Sequence, residues 1–264
     1  MITVNDIIKR IEELAPLSLS ADFDNTGLLV GRGERQVKKV LVTLDVDEKV
    51  CLEAVKEGAD LIISHHPVMF HAVKRLTENT PMERLLRCLI SNDIALYSAH
   101  TNLDCAKGGI NDLMAEKLGI TDTTVIEEVY SQKGISEGSG RKGVLKEPMT
   151  LKELISLYKR EFDVETVRYV GDEDRIIKTV AVNTGGGAFA LDSLIGTDTD
   201  LFISGDFKYN QLRDAYENNL CIIEAFHYDS EKISMELFYD YLKNNFETLD
   251  VVKSKENISV IKYC

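Results

Sequence analysis

Tryptophan is absent from this chain, proline occurs only four times in 264 residues, and no low-complexity tract interrupts the sequence. Those absences leave little room for a disordered tail and exclude a fibrous repeat. No apolar run approaches the roughly 18 to 20 residues of a membrane helix, so a soluble, cytoplasmic protein is expected, with no membrane partner. The opening segment MITVNDIIKRIEELAPL lacks signal-peptide character, because Asp6, Glu12 and Glu13 interrupt it and Ile7, Ile8, Ile11 and Leu14 recur as one helical face. Cys51, Cys88, Cys105, Cys221 and Cys264 are odd in number and show no CxxC pairing, which reads as reduced core thiols and not as a disulfide framework. Basic charge is short too, since 31 Lys and Arg against 44 Asp and Glu give a net charge of −13. Nucleic acid is therefore disfavoured as a partner, because neutralising phosphates takes clustered cations. A small anionic substrate would have to be drawn by bound metal ions, which can reverse the local field.

What is present is the patterning of an α/β protein. Hydrophobic residues make up 44% of the chain, enough to bury the core of one large domain or two small ones. Apolar runs predict strands at 40–45, 61–66, 94–100, 164–170, 176–182, 201–206 and 221–227. Helical spacing predicts helices at 47–57, 81–91, 109–118, 150–161, 187–195, 207–217 and 229–245, and two short strands close the chain. The alternation implies largely parallel sheets covered by helices, and the segment 131–143, SQKGISEGSGRKG, reads as a turn-rich break.

The halves repeat one another. KKVLVTLD to DLIISHHP has the spacing of IKTVAVNT to DLFISGDF, since 61 − 40 and 201 − 180 are both 21, and Asp60 with Asp200 and Ser64 with Ser204 correspond. Two similar α/β lobes are expected: 1–125, completed by 229–264, and 126–228. Open α/β sheets place ligands at the carboxyl ends of their strands, so a cleft between the lobes is the expected site.

Four of the five histidines lie at or just after predicted strand ends. His65 and His66, followed by Pro67, end an apolar strand, and both reach one centre only if the strand breaks there, a break that Pro67 favours. His227 and Glu231 share one side of a first helical turn, as a metal-ligand pair or as an ion pair with helix capping. Imidazole with carboxylate suits Zn, Mn or Fe, whereas Mg and Ca prefer oxygen alone. Asp104, in HTNLDCAKGG, offers a second carboxylate or simply completes a turn. His100 is a candidate for catalytic acid/base or supporting work, or a structural residue at a strand end. Thr184-Gly185-Gly186-Gly187 reads equally as a substrate contact or as a tight strand-to-helix turn.

DNTGLLVG (24–31), SHHP (64–67), SAHTNLD (98–104), SGDFKYN (204–210) and FHYDSE (226–231) occur in this order, and through them the chain resembles the Nif-three-like dinuclear metal-centre family. Its members carry the name GTP cyclohydrolase 1 type 2 homologue. The resemblance runs from Asn5 to the C-terminal strands. It implies two intertwined α/β lobes, a metal centre in the cleft between them, and a homohexameric ring. It also implies two divalent transition-metal ions on His65, His66, Asp104, His227 and Glu231, with His100 beside the centre and outside the ligand set. Asn210 stands where the family usually has His, Phe23 and Thr26 where Trp and Val are usual, and the inserted domain of longer relatives is missing. The implied activity is metal-dependent hydrolysis of a nucleotide-like or small anionic substrate. The competing reading is a metal-storing, regulatory or scaffold protein without turnover. His71 matches no ligand position.

Overall fold

A computed structural model describes residues 1–132, 135–256 and 258–262. The fold is mixed α/β with two sheets, and the chain divides into two compact units, Met1–Leu103 with Ser234–Cys264, and Asp104–Ile233. The sequence reading put the first crossing at 125. The compact division puts it at Leu103, because the helix Ile110–Lys117 and the hairpin that follows build the second unit's core.

In chain order the first unit contributes α1 (Val4–Leu14), β1 (Gly27–Val30), β2 (Lys39–Thr43), α2 (Glu48–Glu57), β3 (Leu61–Ser64), α3 (Pro81–Ser91) and β4 (Ala95–Ser98). The short helix α4 (Thr101–Cys105) leads into the second unit, which holds α5 (Ile110–Lys117), β5 (Ile120–Gln132), β6 (Ile135–Thr150), α6 (Leu151–Glu161), β7 (Arg168–Val170), β8 (Ile176–Asn183), α7 (Leu191–Leu194), β9 (Leu201–Ser204), α8 (Tyr209–Glu217), β10 (Cys221–Glu224) and α9 (His227–Glu231). The first unit resumes with α10 (Ser234–Asn245) and β11 (Asp250–Lys253).

The first sheet runs β1-β4-β3-β2-β11, parallel except for β1 at one edge. Its central strands are buried throughout, which is why they read as unbroken apolar runs. Leu41, Ile62 and Leu96 pack with Val50, Cys51 and Ala54 of α2 and Leu85 and Leu89 of α3. Local chemistry sets the helix ends. Thr3 and Asp6 cap each other at α1, Asp47 accepts from the Val50 amide at α2, and Thr80 with Pro81 opens α3.

The second sheet runs β5-β6-β8-β9-β10-β7, with β8, β9 and β10 parallel and the outer strands antiparallel. Helices α5 and α6 cover one face around Tyr158, Phe162 and Val180, and α7 and α8 cover the other around Phe202 and Ile222. The expected duplication is visible in the registers: Val40 pairs with Leu61 as Val180 pairs with Leu201. Asp60 accepts from the amides of Lys38 and Lys39 and from Arg35, and Asp200 accepts from those of Lys178 and Thr179 and from Arg175.

Several expectations are corrected. The segment 131–143 is mostly strand, part of a long hairpin formed by β5 and β6, with Lys133 and Gly134 outside the described residues. Gly138 is there for close approach, since a Cβ on it would lie 2.0 Å from the Glu127 carbonyl oxygen. The helix expected at 187–195 is a 3-10 turn, Gly187–Ala190, followed by α7. A turn at 232–233 divides the helix expected at 229–245. One of the two closing strands is β11, and 258–262 form none. Phe23, which stands where the family usually has Trp, is 74% exposed. Cys51, Cys105 and Cys221 are buried free thiols, Cys88 is a partly buried one, and Cys264 lies outside the described residues. Among the described residues no helix is long and apolar enough to cross a membrane.

Candidate metal centre

In the first unit three histidines gather beyond the carboxyl ends of β3 and β4. Strand β3 stops at Ser64, whose hydroxyl donates to the His66 carbonyl at 2.8 Å and lies 2.7 Å from the Ser98 hydroxyl, pinning the break before Pro67. The backbone continues its ladder irregularly, His65 N to Thr43 O at 3.2 Å and His66 N to Leu44 O at 2.9 Å, and so brings two adjacent imidazoles to one side. His65, His66 and His100 have ring centroids 5.2 to 5.4 Å apart, and one ring nitrogen of each lies within 4.8 Å of the others. His65 is wholly buried, and Phe70 meets His100 edge-on at 5.9 Å.

Each ring has its Nδ1 engaged. His65 Nδ1 lies 2.9 Å from the Ala99 carbonyl oxygen, His66 Nδ1 2.8 Å from Asp45 Oδ1, and His100 Nδ1 2.9 Å from Asp24 Oδ1. These partners accept hydrogen bonds, so they set the proton on Nδ1 of the neutral ring and make Nε2 the basic nitrogen. Burial works to raise the Asp24 carboxyl, but hydrogen bonds from His100 and Thr101 outweigh it and hold the group well below the usual carboxylate range.

In the second unit β10 gives way at Phe226, whose φ of 37° is a left-handed value rare for an aromatic residue, and α9 begins at His227. His227 Nδ1 lies 2.8 Å from Asp206 Oδ2, and Nε2 lies 2.9 Å from Glu231 Oε2. The Glu231 hydrogen bond raises His227 to about 9 against the opposing effect of burial, with Asp206 adding to it. Glu231 is buried against the glycine turn. A Cβ on Gly185, which has φ of +62°, would fall 1.8 Å from Glu231 Oε1. The Thr184 and Gly185 amides donate to Asn111 Oδ1 and Ser230 Oγ. Asp104 stands in α4, where its carbonyl accepts from Asn111 at 3.0 Å.

The structure thus brings His65 and His66 together in the first unit and His227 and Glu231 together in the second, and it adds His100 to the first group. His71 is exposed and belongs to no such group among the described residues, and Asn210 is exposed at the start of α8. The sequence reading missed Asp24, Asp45 and Asp206. Two of them had left a signal, since 66 − 45 and 227 − 206 are both 21, the spacing from one strand end to the next.

The chain is similar to known proteins over its full length. A Clostridium perfringens protein named GTP cyclohydrolase 1 type 2 homolog is 40% identical over 230 residues, 86% of each chain. One of the same name from Clostridium acetobutylicum is 35% identical over 98% of each. The crystal structure of a Bacillus cereus protein related to NIF3 shares the fold with a TM-score of 0.93, at 24% identity over 100% of this chain and 99% of that one. The family description Duf34/NIF3 (NGG1p interacting factor 3) matches residues 2–259, and the chain belongs to that family.

Proposed function

We propose that this protein binds two divalent transition-metal ions, Zn, Fe or Mn, with His65, His66, Asp104, His227 and Glu231, and uses them to hydrolyse a nucleotide-like or other small anionic substrate. The observation that carries this reading is the common treatment of His65, His66 and His227. Each has its Nδ1 held by a carbonyl or carboxylate, the outer-shell arrangement that orients a metal-binding imidazole and presents its Nε2. Bound ions would lower the pKa of a water and neutralise charge developing on the substrate. The chain's own residues supply the rest. Asp45 and Asp206 orient His66 and His227, and the bare Gly185 leaves room for the Glu231 carboxylate, which with Asp104 is a candidate bridge because a carboxylate has two oxygens. The name GTP cyclohydrolase 1 type 2 homolog belongs to the relatives and supports a nucleotide-like substrate here. A homohexamer acting in the cytoplasm is part of the same proposal.

Elemental analysis at neutral pH tests the centre. Wild type is expected to hold two ions per chain, Glu231→Gln to weaken both, His65→Ala chiefly one, and His71→Ala neither. Ligands of one network couple by roughly 0.5 to 3 kcal/mol, so the double variant should depart from additivity. A wild type that never exceeds one ion per chain, or a Glu231→Gln variant that keeps both at full affinity, refutes the shared centre. A metabolite panel with no turnover despite full metal occupancy refutes the hydrolase.

A further inference from the structure

Among the described residues three histidines have a carboxylate at Nδ1, and one of these three pairs is built unlike the others. Asp45 beside His66 and Asp206 beside His227 keep side chains 55% and 58% exposed, whereas the Asp24 side chain beside His100 is 0% exposed. A buried carboxylate is costly unless its oxygens are hydrogen-bonded, and Asp24 meets that condition four times. Oδ1 accepts from His100 Nδ1 at 2.9 Å and from the Asn25 amide at 2.8 Å. Oδ2 accepts from the Thr101 amide at 3.1 Å and the Thr101 hydroxyl at 2.6 Å. The loop carrying Asp24 is braced on both sides, by the Ala21 amide donating to Thr101 Oγ1 at 2.9 Å and by Asn25 Nδ2 donating to the Met69 carbonyl at 2.5 Å. An ionised carboxylate only accepts, so the neutral His100 ring carries its proton on Nδ1 and leaves Nε2 as a bare lone pair.

We propose that Asp24 is a positioning residue that locks His100 in the Nδ1–H tautomer, so that Nε2 stands beside His65 and His66 as a hydrogen-bond acceptor for a water or a substrate hydroxyl. The chemistry recognised there is a donor, O–H or N–H, and not a carbonyl. The use made of the acceptor rests on the metal centre proposed above, but the tautomer is a property of the metal-free chain. The solvent-exposed Asp45 and Asp206 orient their rings less rigidly, because water competes for the same oxygens.

The test is ¹⁵N NMR of histidine side chains in the metal-free full chain, with the His100 signals identified by their loss in His100→Gln. In the neutral ring, wild type is expected to show a protonated Nδ1 and an unprotonated Nε2. Asp24→Asn, which places an amide donor among the groups around the ring, should move a large fraction of His100 to the Nε2–H form. Thr101→Val removes one of the four donors to Asp24, the hydroxyl, together with the acceptor of the Ala21 amide, and leaves the Nδ1 acceptor, so the tautomer should stay. A wild-type ring protonated on Nε2, an Asp24→Asn ring still wholly Nδ1–H, or a tautomer change in Thr101→Val overturns the proposal. If Asp24→Asn does not fold, the wild-type and Thr101→Val spectra decide. Metal content is read separately, so a chain that binds no metal would sink the proposed function and leave the tautomer result standing.

Discussion

His227 sits between two carboxylates, Asp206 at Nδ1 and Glu231 at Nε2, and keeps its proton to about pH 9. Because the folded value lies above the ordinary 6.5, the pairing stabilises the metal-free chain fully below about pH 6.5 and is lost as pH rises through about 9. Metal binding has the opposite sign, since it needs the neutral ring. Calorimetric titration with zinc in buffers of different ionisation heat should show about one proton released from this group near neutral pH and none above about pH 10. Release that stays constant across that window would contradict the assignment. Gly185→Ala attacks the same place sterically. The left-handed backbone costs roughly 1–2 kcal/mol for a residue with a Cβ, and the methyl would displace the Glu231 carboxylate. Reduced unfolding stability together with lost metal content is the expected result, and full metal retention would show that the carboxylate is not needed where it stands. The histidines were legible in the sequence because strands ending in His are rare enough to notice. Asp24 was not, because it comes from another loop and only the fold brings it to the His100 ring.

Helix α3 runs over the residues expected for it, 81–91, because Thr80, Pro81 and the apolar spacing of Leu85, Leu86 and Leu89 agree. The hairpin of β5 and β6 was illegible because Gly138 and Gly143, which read as part of a turn, lie there hard against the backbone of the paired strand. What fastens the hairpin is Arg141, only 3% exposed, which donates to the carbonyls of Gly138, Gly140 and Ala106 and makes a forked pair with Asp112 at 2.6 and 3.1 Å. Nothing in the spacing of a Gly-Arg-Lys-Gly run announces a buried arginine. Arg141→Ala leaves those acceptors and Asp112 without their donor, and a loss of about 3 kcal/mol is expected. Arg141→Lys should recover less than half, because an ammonium cannot fork. Urea unfolding followed by far-ultraviolet circular dichroism reads both, tryptophan being absent, and an Arg141→Ala change below about 1 kcal/mol would deny the hairpin its clasp.

At the scale of the molecule, light scattering of dilute protein should find an assembly several times the 29.6 kDa of one chain, six times if the proposed ring forms. A species of one-chain mass alone would remove that part of the proposal. The repeated architecture was legible because a spacing of 21 residues recurs in both halves and the registers of β2 with β3 and of β8 with β9 obey it. Strand β11 joins the first sheet beside β2, and α10 packs on both. A chain growing from its first residue on the ribosome therefore completes the uninterrupted stretch Asp104–Ile233 while Met1–Leu103 still waits for the segment that begins at Ser234. During that interval β2 offers its open edge to any passing strand, a liability that ends only when synthesis reaches β11 and delivers the missing neighbour.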